Sequence, residues 1–282
     1  MPLSAHSTDI AARFGTVPDL CVYAGVPAAM FLANADPEAD LAVMAAAREN
    51  LRKIAPKKLV LISSIAVYAD SRARMNPMPH PADLPAYGRN RLQLEHWVRQ
   101  DFPDASSSVC PPCTAWVCGK TFSLTCTPSP RPCSGRKNTR NWRSPVTGQV
   151  SYALADNGFY KLVPGADAAA LREFFAANDF NALAFTDSRS RYQFYNLGRL
   201  WQDIEKALDA GLTLLNLTTP PVTAAAVYTA VTGGSWRNEL NKPPFDYDLR
   251  SRHAQLLGGK DGYLCTEAEE LADICAFMKN WN

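Results

Sequence analysis

The sequence predicts an α/β fold built on a parallel sheet. Two observations carry this expectation. Short apolar runs that read as buried strands, Asp19–Gly25 and the run from Leu59, are followed by helical stretches in the order β-α-β-loop-α. After residue 190 strand-like and helix-like segments alternate again. No run of about 18 apolar residues is present, so no transmembrane helix is expected.

The elements follow in order. Residues 1–18 are polar and irregular. Asp19-Leu20-Cys21-Val22-Tyr23-Ala24-Gly25 reads as a short strand running into a glycine turn. Pro37-Glu38-Ala39-Asp40 opens a helix with acids in its first turn, and the helix reaches about Ile54, with Arg52 and Lys53 near its end. Leu59-Val60-Leu61-Ile62 is a buried strand that ends in Ser63 and Ser64. Pro77, Pro79, Pro81 and Pro85 mark a loop, and a helix is expected from about Ala86 to Gln100. Further on, Asp167–Asn178 reads as helix, Arg191–Leu197 as an alternating strand, and Leu200–Ala210 as an amphipathic helix ended by Gly211. Leu212–Leu217 reads as strand and Val222–Val231 as a helix stopped by Gly233-Gly234. Helices are also expected near Asp248–Leu257 and Thr266–Lys279.

One segment differs from everything around it. The chain of 282 residues has 29 basic and 27 acidic residues, a net of +2. Between Ala105 and Ala155 there is no acidic residue, but six basic ones: Lys120, Arg131, Arg136, Lys137, Arg140 and Arg143. Without these six the balance is 23 against 27, or −4. The same window holds five of the eight cysteines, Cys110, Cys113, Cys118, Cys126 and Cys133. One reading makes these thiolates a zinc module, although only one Cys-x-x-Cys pair is present and no histidine lies nearby. Another makes the basic run with Trp142 a phosphate-binding arm. Neither is adopted: no metal site and no nucleic-acid partner are expected.

The chemistry concentrates between Leu59 and Arg91. Tyr87 and Arg91 lie four apart on the expected helix and share a face. A phenol ordinarily ionises near pH 10, and a fixed cation beside it favours the phenolate. A hydroxyl at the end of an adjacent strand, Ser64, can hold the same substrate oxygen. Such a trio can take the proton of an alcohol while hydride leaves its carbon for a nicotinamide.

Ser-Ser-x-x-Val-Tyr after an apolar strand, with Tyr-x-x-x-Arg beginning 23 residues beyond the second serine, resembles the extended short-chain dehydrogenase/reductase family of NAD-dependent epimerases and dehydratases. The resemblance covers roughly residues 19–104 and 145–282. It implies Ser64 as the catalytic hydroxyl, Tyr87 as the acid/base and Arg91 in the place of the family lysine. It also implies cofactor contacts at Ala24, Gly25, Ser63, Tyr87 and Arg91, with NAD or NADP as cofactor. The substrate it implies is a sugar nucleotide or similar alcohol, with Asp187, Ser188, Arg189 and Gln193 as candidate contacts from a polar turn. For these four a solvated loop is the other reading.

The sequence departs from the family in two places. Arg91 keeps the charge of the family lysine, but its planar fork does not replace a compact ammonium. The opening strand with Gly-x-x-Gly-x-x-Gly, whose amides hold a pyrophosphate, has no match here. The odd segment also finds a reading against the family. Taken one base out of frame, the codons from Ser106 can encode LIVRLPALYG and onward, which resembles the family's next strand. Residues 105–144 therefore read as an out-of-frame translation, and the sheet is expected to have lost that strand to a poorly packed insert.

The expected architecture is a partial Rossmann-like doubly wound parallel sheet, its first half missing, with a smaller C-terminal substrate region. Residues 1–104 are the remnant of a dinucleotide-binding domain, 105–144 the irregular segment, and 145–282 the late Rossmann elements with the substrate region. The expected function is an NAD(P)-dependent epimerase, dehydratase or reductase with impaired activity. An inactive remnant or pseudoenzyme that binds no cofactor is the rival reading, and a zinc-binding module through the cysteines of 110–133 is the third. The expected partners are a small-molecule substrate and no membrane, with a homodimer allowed. No signal peptide is read at the N-terminus, which makes the cytoplasm the expected location.

Overall fold

The computed structural model describes residues 4–6, 8–70, 81–103, 106–109, 141–143, 150–154, 160–177 and 182–281. Its centre is a four-stranded parallel sheet in the order β1-β2-β3-β8. Strand β1 is Cys21–Tyr23, β2 Leu59–Ile62, β3 Ser106–Val109 and β8 Leu214–Asn216. The ladders pair Val22 with Val60, Leu61 with Ser107 and Ser108 with Leu215.

Three helices accompany the first two strands: α1 (Met30–Ala35), α2 (Pro37–Ile54) and α3 (Ala86–Asp101). In α2 the Asp36 carboxylate caps the first turn by accepting from the Ala39 amide at 3.0 Å, and Pro37 takes the position where its missing N–H costs nothing. Ala55 in the left-handed region ends that helix. Met44, Ala47 and Leu51 recur at helical spacing, and with Leu59, Leu61, Leu94 and Val98 they form the core between α2, α3 and one face of the sheet. On this face lie Tyr23 and, partly buried, Cys21. The α2–α3 seam is tied at its far end by Asp101, which accepts from Arg48 and Arg52.

Beyond the sheet lie a three-stranded antiparallel sheet, β4 (Asn141–Arg143), β5 (Val150–Leu154) and β6 (Tyr160–Leu162), and helix α4 (Ala168–Ala177). A two-stranded ladder joins β7 (Arg191–Tyr192) to β9 (Val222–Thr223). Helices α5 (Leu200–Asp209), α6 (Ala224–Thr232) and α7 (Glu267–Trp281) complete the chain. Among the described residues no helix is long and apolar enough to cross a membrane.

Several expectations need correction. The strand thought lost after α3 is present: Ser106–Val109 fills the slot between β2 and β8 as β3. A parallel ladder is made by backbone groups, so even a serine-rich stretch can occupy a slot with strands on both sides. Residues 110–140 lie outside the described residues, as does 71–80 of the proline loop. The strand expected over Arg191–Leu197 keeps only two residues in a ladder, because the Phe194 amide donates to the Glu270 carboxylate instead. Val222 and Thr223 belong to β9, and α6 starts at Ala224 with Thr223 Oγ1 as its cap. The helix expected near Asp248–Leu257 is a single 3-10 turn, Ala254–Leu257. There the Ser251 amide goes to the Gly262 carbonyl, a bond that a helix begun at Asp248 would have made to its own first turn.

Candidate active site

The carboxyl ends of parallel strands are where open α/β sheets bind ligands, and most of the candidate residues sit there. β1 runs out into Ala24 and Gly25, both exposed. The loop folds back over β1, since a Cβ on Gly25 would lie 3.0 Å from the Tyr23 ring. β2 runs out into Ser63 and Ser64, and the chain then turns through a 3-10 turn at Ile65–Val67. Ser64 Oγ caps that turn by accepting from the Ala66 amide at 3.1 Å. Its own O–H has no acceptor among the described residues. Ser63 is committed differently: its hydroxyl donates to the Glu95 carboxylate, which is buried and also accepts from Arg99 at 2.7 Å.

Helix α3 delivers Tyr87 to the same turn. The reason is Gly88, whose backbone presses on the Ala66 carbonyl so closely that a Cβ there would lie 2.0 Å from the oxygen. No other residue type permits that approach without a shift. The contact stands one residue from Tyr87 and two from Ser64. The Tyr87 amide donates to Asn34 Oδ1 of α1 at 2.9 Å, which supplies a partner to one of the helix's opening amides. The Tyr87 side chain is 7% exposed, and its hydroxyl has no hydrogen-bond partner among the described residues.

Arg91 shares the face of Tyr87 as the four-residue spacing predicts, with its guanidinium carbon 3.7 Å from the centre of the phenol ring. Its hydrogen bonds go elsewhere. Nη1 donates to Asp40 Oδ2 at 2.5 Å and to the Tyr87 carbonyl at 3.3 Å, and Nη2 donates to the Pro27 carbonyl at 2.6 Å. Both charges are buried. Asn90 adds a second donor to Asp40 at 2.9 Å and one to the Pro37 carbonyl at 3.0 Å. Arg91 thus stacks on the tyrosine while fastening α2 and the loop after β1 to α3.

The four candidate substrate contacts fall into two groups. Asp187 is buried and accepts from the Arg189 amide, from Arg189 Nε at 3.0 Å and Nη2 at 2.8 Å, and from the Leu240 amide. The Arg189 guanidinium holds its carboxyl well below the usual carboxylate range. Ser188 accepts from the Asn238 amide through its hydroxyl, and its own amide donates to the Asn238 carbonyl. Arg189 reaches on to Glu239 at 3.1 Å. Gln193 stands apart, fully buried: its amide nitrogen donates to the Thr219 and Leu249 carbonyls, and its oxygen accepts from the Leu249 amide. Leu249 packs with Ile65, Val67 and Tyr68, so Gln193 is one residue removed from the turn that carries Ser64. No hydrogen bond or ion pair joins Asp187, Ser188 or Arg189 to Ser64, Tyr87 or Arg91 among the described residues.

Three polar groups near this end of the molecule escape sequence reasoning. Tyr68 donates to Asn216 Oδ1 at the end of β8 at 3.0 Å, and burial pushes its phenol up to about 12. Asn216 keeps a buried Nδ2 without a partner among the described residues. Glu270 of α7 is 1% exposed and accepts from the Phe194 amide at 2.6 Å and from Thr219 Oγ1 at 3.1 Å, and burial raises its carboxyl to about 8. Only Tyr68 had a signal, as the last residue of the Ser-Ser-x-x-Val-Tyr run. Among the described residues no group of three side chains is arranged to hold a metal ion. The cysteines of 110–133 lie outside the described residues.

Solved structures share this fold. A dTDP-4-dehydrorhamnose reductase from Clostridium acetobutylicum superposes with a TM-score of 0.58 at 11% identity, over 97% of this chain and 86% of that one. A short-chain dehydrogenase/reductase superfamily protein from Agrobacterium tumefaciens with bound NAD gives 0.57 at 14% identity, over 97% and 83%. UDP-glucose 4-epimerase from Thermotoga maritima, solved with UDP-glucose, gives 0.53 at 12% identity, over 93% and 78%. No protein-family model and no curated protein sequence matches the chain. The fold is that of the short-chain dehydrogenase/reductase proteins.

Proposed function

We propose that the chain carries the hydroxyl half of an NAD(P)-dependent epimerase or reductase site for a sugar nucleotide or similar alcohol, and that its activity is impaired. The observation that carries this is the seating of Gly88 on the Ala66 carbonyl, which sets Tyr87 beside the turn capped by Ser64 at the carboxyl end of the parallel sheet. Ser64 has a hydroxyl proton to donate to a substrate oxygen. Tyr87 has an unengaged hydroxyl that can exchange a proton with the same oxygen. The solved relatives of this fold include a reductase and an epimerase named for nucleotide sugars, which supports the substrate class.

The cofactor fits these residues at one end only. Ala24 and Gly25 leave an exposed ledge beyond β1. The Nη donors of Arg91 are held by Asp40, Tyr87 and Pro27, Nε being buried with no partner among the described residues, and the sequence has no glycine-rich strand-to-helix turn to hold a pyrophosphate. β1 is the outer strand among the described residues. We therefore read the sheet as the Ser64–Tyr87 half of a doubly wound fold and derive no hydride step for it. Asp187, Ser188 and Gln193 are buried and engaged with other parts of the chain, and Arg189, with its side chain 45% exposed, is the one of the four open to a substrate. Residues 105–144 are read as translated from a shifted frame.

Titration with NADH and NADPH, followed by fluorescence, tests the reading. Binding weaker than about 1 mM is expected, or less than about 4 kcal/mol. Micromolar binding, with turnover that Tyr87→Phe abolishes, would instead establish a working enzyme. The coding DNA tests the frame: compensating insertions or deletions are expected near codons 105 and 144, and a single clean frame shared by related genes would refute it.

A further inference from the structure

Helix α7 is held in two different ways along its length. From Leu271 onward the hold is apolar: Ile274 and Met278 are buried with Phe194, Val222, Ala224 and Val227, and Leu271 and Phe277 pack against them. The first turn has no such anchor. Thr266, Glu267, Ala268 and Glu269 are exposed, and Glu270 alone is buried. Just before the turn the chain is fixed again at Leu264, which is buried and donates its amide to the Thr218 carbonyl at 2.8 Å. Cys265–Glu270 therefore spans two apolar anchors without one of its own.

Among the described residues, the hydrogen bonds that tie this span to the exits of β7 and β8 run through one carboxyl group. Glu270 Oε1 accepts from the Phe194 amide at 2.6 Å and from Thr219 Oγ1 at 3.1 Å. Oε2 is buried with no partner among the described residues. Thr266 adds nothing to the hold, because its amide and hydroxyl both donate to Glu269 within the span. A buried carboxylate oxygen without a donor is costly, so this closed arrangement favours the protonated acid. The surroundings do not offset that cost. Glu267 and Asp273 of the same helix repel a charge on Glu270. Arg199 favours the ionised forms of Glu269 and Cys265, while burial and Glu270 itself hold Cys265 as the thiol. Phe194–Leu197, Thr218–Val222 and α6 bring no charged side chain. Their titratable groups are the phenols of Tyr228 and of Tyr195, which donates to the buried Asp203.

We propose that Cys265–Glu270 is a pH-operated latch: ionisation of Glu270 releases the span from Phe194 and Thr219, while α7 from Leu271 onward stays seated. In the open form water reaches the carboxylate, the Phe194 amide and the Thr219 hydroxyl. Burial raises the closed carboxyl to about 8, against 4.5 for an exposed glutamate. The closed form thus keeps a proton that the open form has lost. Closure is strongest below about pH 4.5, weakens as pH rises to about 8 and changes no further above that. The released groups adjoin Gln193, which precedes Phe194 and donates to the Thr219 carbonyl. The latch works whether or not the chain is catalytic.

Hydrogen exchange followed by mass spectrometry on the full chain, corrected for the intrinsic effect of pH, tests this from about pH 5 to about pH 9. The amides of Phe194, Thr266 and Glu270 are expected to open at least about thirtyfold more often at the upper end, while Leu59–Ile62 and Ile274–Met278 keep their protection. Glu270→Gln, which cannot ionise, is expected to remove the pH dependence. Protection of Phe194 in the unmodified chain that does not change with pH overturns the proposal, and this comparison needs no variant. A rise shared equally by Leu59–Ile62 overturns it as global unfolding, and one shared by Ile274–Met278 as release of the whole helix. A pH dependence that Glu270→Gln leaves intact overturns it as well.

Discussion

The turn around Ser64 and Tyr87 and the hub around Gln193 and Glu270 both bury polar side chains, but they leave them in different states. At the hub, Gln193 engages the backbone of Thr219 and Leu249 with both ends of its amide, and Glu270 engages Phe194 and Thr219 through Oε1 while its buried Oε2 has no partner among the described residues. These bonds stitch the exits of β7 and β8, the segment at Leu249 and helix α7 into one unit. At the turn, backbone contacts set the geometry and two hydroxyls keep unused capacity: Ser64 can donate, and Tyr87 can donate or accept. Buried polar groups that are saturated hold a fold together, and those with capacity left over are available to a ligand. Burial and polarity alone do not separate Gln193 from the two hydroxyls; the count of engaged donors and acceptors among the described residues does.

Replacing a saturated group should therefore cost most. Gln193→Leu removes the partners of the Leu249 amide and of the Leu249 and Thr219 carbonyls. Each buried group left unpaired costs about 1–3 kcal/mol, so a total loss of about 4 kcal/mol is expected from urea denaturation. Gly88→Ala attacks the other region through its backbone. The new methyl must displace α3 from the Ala66 carbonyl, and overpacking of this kind costs about 3 kcal/mol. A loss below about 1 kcal/mol for either would mean that its region yields easily, and the contrast between them would fail.

Glu270 sharpens the comparison through pH. Its folded carboxyl titrates at about 8, above the 4.5 of an exposed glutamate, and burial is the cause. The folded state therefore binds a proton that the unfolded state has released. The sign follows: stability falls as pH rises from about 4.5 to about 8 and levels off above that. Glu270→Gln, which stays neutral, should flatten this slope. At pH 8 it should be the more stable protein by about 2 kcal/mol, read from parallel denaturation curves at pH 5 and pH 8. A slope unchanged by the substitution would assign it to other groups.

What the sequence reveals of these regions depends on how far apart the interacting residues lie. The Leu59–Ile62 strand, its terminal serines and the shared face of Tyr87 and Arg91 are legible because they rest on local periodicity. The claim of Asp40 on Arg91 reaches across 51 residues, and no local pattern announces it. Asp187, Ser188 and Gln193 read as a polar surface turn, yet all three are buried, because distant backbone groups complete their hydrogen bonds. The segment Asp248–Leu257 looks helical until the distant Gly262 carbonyl draws off the Ser251 amide. β3 shows the reverse: three serines and a valine carry little strand signal, and the slot between β2 and β8 makes them one.

The smallest effect is the most telling. Tyr87→Phe deletes a hydroxyl that bonds to nothing among the described residues and leaves the ring in place beneath Arg91. If that hydroxyl has no structural duty, stability should change by less than about 0.5 kcal/mol, the range of substitutions away from structural features. Any turnover of a nucleotide-sugar alcohol should vanish with it. A stability loss above about 1 kcal/mol would show that the phenol is saturated after all, as Gln193 is, and would remove the ground for placing catalysis there. A silent substitution in stability with an effect on chemistry alone is what separates a residue that serves a ligand from one that serves the fold.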